Sequence, residues 1–278
     1  MIVSIISPGA MGSAIGQVLA SNGVEVRTSL AGRSDASADR AKAAGMIPVM
    51  DDQIVRADII LSIVPPGDAV DLADRLAPVL EQAEPKPIYV DCNAISPQTV
   101  EDIADLISDT GCPFVDAGII GPPPKPGGRA TKIYLSGEHA ERAAQLQQYG
   151  LTMPILPGPV GLASAMKMSY AGITKGFTAL GAMMMLAATS AGTAEFLQRE
   201  LADSQPELLA WLTRAVPNMY SKAYRWVAEM EEISEFCSDG AEAAEDLFDA
   251  AAEFYEHIAE DFEGAKEQTA MLDKFCRR

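Results

Sequence analysis

The chain has 278 residues, 48% of them hydrophobic, and a formal net charge of -18; it can bury a sizeable core, is long enough for two domains, and is too acidic for nucleic acid or an anionic membrane surface to be its main partner. Its four cysteines, Cys92, Cys112, Cys237 and Cys276, form no CxxC pair and stand far from His139 and His257, so no metal site is expected. Free thiols, and an opening without a basic n-region or a cleavage signal, favour a cytoplasmic protein.

From Met1 to Ile6 the chain predicts a strand, from Ser7 to Gly12 a tight turn, and from Ser13 to Ser21 a helix stopped by Asn22 and Gly23. The turn Ser7-Pro8-Gly9-Ala10-Met11-Gly12 is GxGxxG with serine in the first glycine's place. Gly9 lets the backbone approach a pyrophosphate, Gly12 lets the helix pack closely on the strand, and the first helical N–H groups face the anion. Placed between a strand and a helix, the motif points to a dinucleotide; the other reading is a glycine turn that only packs tightly.

The second strand, Val24 to Thr28, is followed by Ser29-Leu30-Ala31-Gly32-Arg33-Ser34 with no acid to accept from a ribose 2'-hydroxyl, which favours NADP while leaving NAD open. Arg33 is placed against the adenine and 2'-phosphate and Ser34 on that phosphate; alternatively Ser34 caps the helix Asp35 to Ala44 and Arg33 is solvated. Strands at Asp58 to Val64 and Pro87 to Asp91 follow, each with a helix after it, the second capped by Ser96 with Pro97 at its first position. Their loops put Val64, Pro65, Pro66, Asn93 and Ala94 at the nicotinamide end, or are ordinary turn chemistry. Gly118 to Gly128 is too rich in proline for a strand interior, and Thr131 to Ser136 resumes a strand. That loop is either a stiff pocket wall, with Arg129 and Lys132 offering an anion contact, or a surface loop with solvated bases.

Val160 to Ser190 predicts one long helix joining the sheet domain to an all-helical one, and its only charges are Lys167 and Lys175. An ammonium on such an apolar helix must reach water, a carboxylate or a ligand, so either one lysine serves chemistry or both snorkel to the surface. The uncharged run from Gly176 to Ala194 approaches membrane-spanning length but is full of Gly, Ala, Thr and Ser, as in a buried helix. Lys167, one to two turns into the helix, suits a proton donor to a carbonyl oxygen, because nicotinamide moves hydride and not a proton. Tyr170 and Thr174 follow at i+3 and i+7 as hydrogen-bond partners, or Tyr170 packs in the core. Beyond Ser190, Tyr220, Tyr224, Trp226, Val227, Met230 and Ile233 recur at helical spacing, as packing or a dimer seam, and Glu229, Glu231, Glu232 and Glu235 read as a solvated face. The expected fold is α/β: a Rossmann-type doubly wound sheet over residues 1–158, then the connecting helix opening an all-α region over 159–278 that forms a homodimer.

In their order along the chain, the GxMG turn, the Pro65 to Val70 spacing, Asp91-Cys92-Asn93-Ala94-Ile95-Ser96-Pro97, Phe114-Val115-Asp116-Ala117 and the Gly161 to Lys167 spacing resemble the β-hydroxyacid dehydrogenase and 6-phosphogluconate dehydrogenase superfamily. The resemblance implies an NAD(P)-binding domain, a connecting helix whose first lysine, Lys167, is the general acid and base, and a helical domain that commonly dimerises and completes the pocket. Tyr224 and Arg225 are its substrate-contact candidates in that domain. Three departures mark a divergent branch: Ala171 where the family has asparagine, Asn93 where serine or threonine is frequent, and Ile120-Gly121-Pro122 where S-G-G holds a carboxylate. The expectation is an NADP-preferring oxidoreductase acting on a small hydroxy or oxo compound. The alternatives are an imine reductase on the same scaffold and a non-catalytic NADP(H)-binding sensor or partner-binding protein.

Overall fold

Apolar runs at β1 (Ile2–Ile6), β4 (Ile59–Ser62) and β5 (Ile88–Asp91) are buried almost throughout, as parallel strands covered on both faces must be. A computed structural model describes residues 1–125, 128, 131–238 and 242–277. It divides into two compact units, Met1–Met168 and Ser169–Arg278, the division falling inside a helix.

In the N-terminal unit β1 is followed by α1 (Ala10–Ser21), β2 (Glu25–Thr28), α2 (Asp35–Ala43), β3 (Ile47–Pro48), α3 (Asp51–Ile54), β4, α4 (Ala69–Leu80), β5 and α5 (Pro97–Asp109). Then come β6 (Phe114–Ile120), β7 (Lys132–Ser136), α6 (Ala140–Ala143) and the first turns of α7 (Leu162–Ala171). The sheet order is β3-β2-β1-β4-β5-β6-β7; β1 to β6 are parallel and β7 is antiparallel to β6. This is the doubly wound nucleotide-binding order with an added edge strand, and the order reverses between β1 and β4, where a crevice opens at the carboxyl ends. Strand alternation sorts the core: Val3, Ile5, Leu61, Val90 and Val115 pack with Ile15 and Leu19 of α1, whereas Ile6, Ile60, Tyr89 and Phe114 pack with Leu76 of α4 and Ile103 of α5. As expected, the Ser96 hydroxyl caps α5, accepting from Thr99 N–H at 3.0 Å with Pro97 at the first position.

Three boundaries depart from the sequence reading. The first helix begins at Ala10, not Ser13, because Gly9 itself takes the extended cap conformation and Pro8 and Gly9 alone make the turn. Strand β6 runs on through Gly118 to Ile120, since β7 supplies an antiparallel ladder with Gly118 opposite Tyr134 and Ile120 opposite Lys132; the prolines matter only from Pro122 onward. The long helix is not uniform: α7 gives way to a π-helical turn at Gly172–Gly176 before α8 (Phe177–Ser190).

The C-terminal unit continues with α9 (Ala194–Ser204), α10 (Pro206–Met219), α11 (Ala223–Ser238), α12 (Glu242–Glu263) and α13 (Glu267–Cys276). By length and composition Leu162–Ser190 is long and apolar enough to cross a membrane; here α8 buries Ala179, Ala182 and Met185 and packs on α10 and α13. At the π turn the Lys175 ammonium pairs with Glu229 and lies 4.8 Å from the centre of the Trp226 ring. Trp226 stands edge-on to Tyr255 at 5.1 Å, and the Tyr255 hydroxyl donates to the Lys175 carbonyl at 2.6 Å. Burial first, and Glu229 second, push the Tyr255 phenol up, so it stays a neutral donor. Glu229 is therefore buried and paired, not part of a solvated face, although Glu231 and Glu235 are exposed; no helical period in α11 announces a partner 54 positions away. Tyr220, Met230 and Ile233 are core, but Tyr224 is 62% exposed and is not.

Candidate active site

The crevice starts with the β1–α1 turn. Ser7 N–H donates to the Ile63 carbonyl at 3.1 Å, joining the ends of β1 and β4, and Gly9 N–H donates back to Ser7 O at 2.8 Å. The first bond of α1 runs from Ser13 N–H to Gly9 O at 2.9 Å; the N–H groups of Ala10, Met11 and Gly12 precede it, and no side chain caps them. A Cβ on Gly12 would stand 2.1 Å from Ser7 O, so no side chain fits there, while one on Gly9 would meet nothing within 4 Å. Tight packing at Gly12, open space at Gly9 and a helix N-terminus aimed at it fit a pyrophosphate. Pro8 is buried and Met11 half-buried.

At the end of β2, Arg33 and Ser34 are exposed. Ser34 occupies the cap position of α2, but its hydroxyl makes no capping bond and lies 3.3 Å from Ser37 Oγ. Arg40, absent from the sequence candidates, donates from Nη2 to Ser37 Oγ at 2.8 Å and from Nε to the Pro8 carbonyl at 3.1 Å. It thereby links the pyrophosphate turn to the acid-free β2 edge; its i,i+3 spacing from Ser37 on α2 was the available signal.

Beside them Asn93 is 2% exposed, and its amide is occupied. Oδ1 accepts Val64 N–H at 2.7 Å, and Nδ2 donates to Ser62 Oγ at 2.8 Å and Asp91 Oδ2 at 2.9 Å. Asn93 thus ties the β4 and β5 loops together, both its amide hydrogens being engaged within the protein. Val64, Pro66 and Ala94 are half-buried beside it, and Pro65 is exposed.

Lys167 lies half-buried in α7. The start of that helix closes on Asp116 of β6, which is wholly buried. Asp116 Oδ2 accepts from Gly161 N–H (2.9 Å), Ala163 N–H (3.0 Å), Ser164 N–H (3.1 Å) and Ser136 Oγ (2.8 Å), and Oδ1 from Ser164 Oγ (2.7 Å). These donors satisfy both oxygens at the positive end of the helix, which is how a buried carboxylate is tolerated. The anchoring role of Asp116, Ser136 and Ser164 escaped the sequence reading; the signal was one acid inside Phe-Val-Asp-Ala-Gly-Ile-Ile. Two residues on, Gly118 brings the strand so near that a Cβ would lie 2.7 Å from Ala163 O and 3.0 Å from Lys167 Cβ.

At the end of β6 Ile120 is half-buried, and Gly121 and Pro122 beyond it are exposed. Gly121 has φ of 129°, a conformation that favours glycine, and the Pro122 carbonyl accepts from the Thr131 hydroxyl. Lys132 is exposed, and Arg129 lies outside the described residues. In the C-terminal unit Tyr170 is 41% exposed rather than core. The Thr174 hydroxyl donates to Tyr170 O at 2.9 Å, leaving only its lone pairs for a ligand. Tyr224 and Arg225 are both exposed, the guanidinium 5.6 Å from the ring.

A family profile described as the NAD binding domain of 6-phosphogluconate dehydrogenase matches residues 3–153, and one described as a domain of unknown function, DUF1932, matches residues 188–258. An uncharacterised 28.5 kDa protein in the 7S RNA 5' region of Methanothermus fervidus is 29% identical over 239 residues, 85% of this chain and 90% of its own length. A conserved protein of unknown function, described as structurally similar to 3-hydroxyacid dehydrogenases, is 28% identical with a TM-score of 0.70, covering 95% of this chain and 98% of that one. Mycobacterium tuberculosis 3-hydroxyisobutyrate dehydrogenase with L-serine shares the fold at 19% identity, with a TM-score of 0.73 over 98% of each chain.

Proposed function

The chain belongs to the 6-phosphogluconate dehydrogenase NAD-binding family, a family of NAD(P)-dependent oxidoreductases, and we propose that it is an NADP-preferring member acting on a small hydroxy or oxo compound with Lys167 as general acid and base. The observation that carries this reading is the half-buried Lys167 on a helix whose N-terminus is pinned to the sheet by Asp116. The cofactor, when bound, supplies or accepts the hydride. The residues that would hold it are Pro8, Gly9, Ala10, Met11 and Gly12 at the pyrophosphate, Arg33 and Ser34 at the 2'-phosphate, and Val64, Pro65, Pro66, Asn93 and Ala94 at the nicotinamide end. Lys167 gives an ammonium proton to the carbonyl oxygen as that oxygen becomes a hydroxyl, and the neutral amine takes the proton back in the oxidative direction.

The NADP preference is supported by the β2 edge, where hydrogen bonds link Ser34, Ser37 and Arg40, Arg33 precedes Ser34 and is exposed, and no acidic residue stands between Thr28 and Asp35 to select a 2'-hydroxyl. For assembly, Ile173, Phe177, Leu180 and Met184 are 69%, 49%, 48% and 55% exposed at spacings of three and four along one helical line. We assign that stripe to a second copy of the chain, in a homodimer through the helical region. Free cysteines support a cytoplasmic location.

Fluorescence titration with NADPH and NADH, followed by absorbance screening of carbonyl, hydroxy acid and imine compounds, tests the reading. Tighter NADPH binding with turnover of a carbonyl or hydroxy compound is expected; turnover of imines alone moves the assignment to C=N reduction. Binding without any turnover refutes the enzyme reading in favour of a sensor, and binding of neither cofactor removes the site altogether.

A further inference from the structure

Strand β6 bears two side-by-side features directed at the helix that carries Lys167. Residues 116 and 118 are two apart on a strand and so share a face. The first is a fully buried carboxylate that gathers the N–H groups of Gly161, Ala163 and Ser164, while the hydroxyls of Ser136 and Ser164 complete its shell. Ala163 N–H is shared with Ser136 Oγ at 3.0 Å, so β7 joins the same cluster. The second is a glycine whose missing side chain leaves the gap into which Ala163 O and Lys167 Cβ fit. One feature fixes where α7 starts along its axis, and the other fixes how close it lies at the turn bearing the lysine.

We propose that Asp116 and Gly118 are positioning residues for proton transfer, setting the location of Lys167 from the sheet by an anchored helix start and a side-chain-free contact. The inference rests on the reading of Lys167 as the proton donor. Both residues are buried, and each acts through α7. A methyl at position 118 would meet backbone at 2.7 Å, and backbone cannot swing aside as a flexible side chain can. Gly118→Ala therefore displaces the helix at Lys167 by several tenths of an ångström or more, and misplacement on the order of 1 Å costs about 100-fold in rate. At position 116 asparagine is a near-isostere. Its oxygen accepts the bonds now made to Oδ2, and its NH2 donates to Ser164 Oγ, a hydroxyl that also accepts.

The test uses the full-length protein with NADPH and the best compound from the substrate screen, comparing Asp116→Ala, Asp116→Asn, Gly118→Ala and Lys167→Ala. Three readouts are taken: kcat, NADPH affinity with its stoichiometry, and hydrogen exchange of the α7 amides. For Asp116→Ala and Gly118→Ala the expected result is a loss of roughly 100-fold in kcat, with NADPH bound at full stoichiometry and affinity within about twofold of the parent. Asp116→Asn is expected to recover most of the turnover that alanine loses. The Ala163 and Ser164 amides exchange faster in Asp116→Ala while those of β1 do not. General destabilisation would instead lower binding stoichiometry together with turnover. If Asp116→Ala fails to fold, Gly118→Ala decides, since one added methyl disturbs less than loss of a buried carboxylate that accepts five hydrogen bonds. Parental kcat in Gly118→Ala, or in a folded Asp116→Ala, overturns the inference. Should Lys167→Ala itself keep its turnover, the underlying reading fails instead, so the two failures are distinguishable.

Discussion

Glu229→Leu removes the carboxylate that faces Lys175, whose side chain is 15% exposed against 8% for Glu229. The ammonium then loses that carboxylate and keeps the contact with the Trp226 ring, a cation–π interaction worth about 1–2 kcal/mol. Breaking one side of a buried pair costs about 3–5 kcal/mol, whereas replacing both partners by apolar groups of similar volume is often neutral or stabilising. Glu229→Leu and Lys175→Met should therefore each destabilise by about 3 kcal/mol, and the double variant by less than about 1 kcal/mol, a coupling of about 5 kcal/mol. Lys175→Met keeps an unbranched side chain of similar length. Urea unfolding monitored by tryptophan fluorescence and by far-UV circular dichroism measures all four species, with coincident transitions required before the energies are compared. Additive losses, with coupling below about 0.5 kcal/mol, would show that the pair is solvated and that the buried-pair argument is wrong.

Three further outcomes are expected. Arg33→Ala should weaken NADPH by about 1.5–3 kcal/mol and leave NADH nearly unchanged, whereas Arg40→Ala should weaken both, because Arg40 also holds the Pro8 carbonyl of the pyrophosphate turn. Paired titrations check this, and equal loss of both cofactors in Arg33→Ala would refute the 2'-phosphate assignment. Gly12→Ala must displace Ser7 O, which a Cβ would approach to 2.1 Å; cofactor binding should be lost, while circular dichroism shows the sheet retained. For Asp261, burial pushes the carboxyl up, but backbone N–H bonds from Thr269 (2.8 Å) and Gln268 (3.1 Å), with the Thr269 hydroxyl, outweigh it and hold the group below its ordinary value. A depressed folded-state value means the stabilisation is full above the unfolded carboxyl's range and is lost as pH falls through the folded one. Asp261→Ala should accordingly lower stability at neutral pH and flatten its acid dependence below about pH 4, read from urea midpoints across pH; an unchanged slope would contradict this.

Much of the sheet was legible because β1, β4 and β5 are short apolar runs that need both faces covered, and because Ser96-Pro97 is a local helix-start signal. The dinucleotide turn was legible for the same reason: its chemistry lies within six consecutive residues. The start of α1 was not, because Pro8 and Gly9 look like breakers until Gly9 is seen to be the cap itself. Strand β3 is only Ile47–Pro48 and exposed, too short to carry a period. The far half of β6 depends on its partner β7, a long-range pairing that glycine and nearby prolines conceal. The same limit governed the site. That an ammonium on the long helix needs water, a carboxylate or a ligand followed from Lys167 and Lys175 alone; that Lys175 meets Glu229 did not. Asp116 was visible as an anomaly in an apolar strand, but its donors arrive from residues 136, 161, 163 and 164, and only the fold assembles them.

The division of labour along β6 bears on how such a protein can change its substrate. On the proposed reading positions 116 and 118 are constrained by the helix packed on them, since bulk at 118 or loss of the acceptor for the Gly161, Ala163 and Ser164 amides at 116 moves the same backbone whatever compound is being turned over. Just beyond them, Ile120 is half-buried at the strand end and Gly121 and Pro122 are exposed, and of these three only Gly121 is held to its identity by a φ of 129°. On the proposed reading, in which Ile120 and Pro122 contact substrate and Lys167 donates the proton, specificity is open to change at the strand end without moving the donor. A library confined to 120 and 122 should yield altered substrate preference far more often than one spread over 116–118.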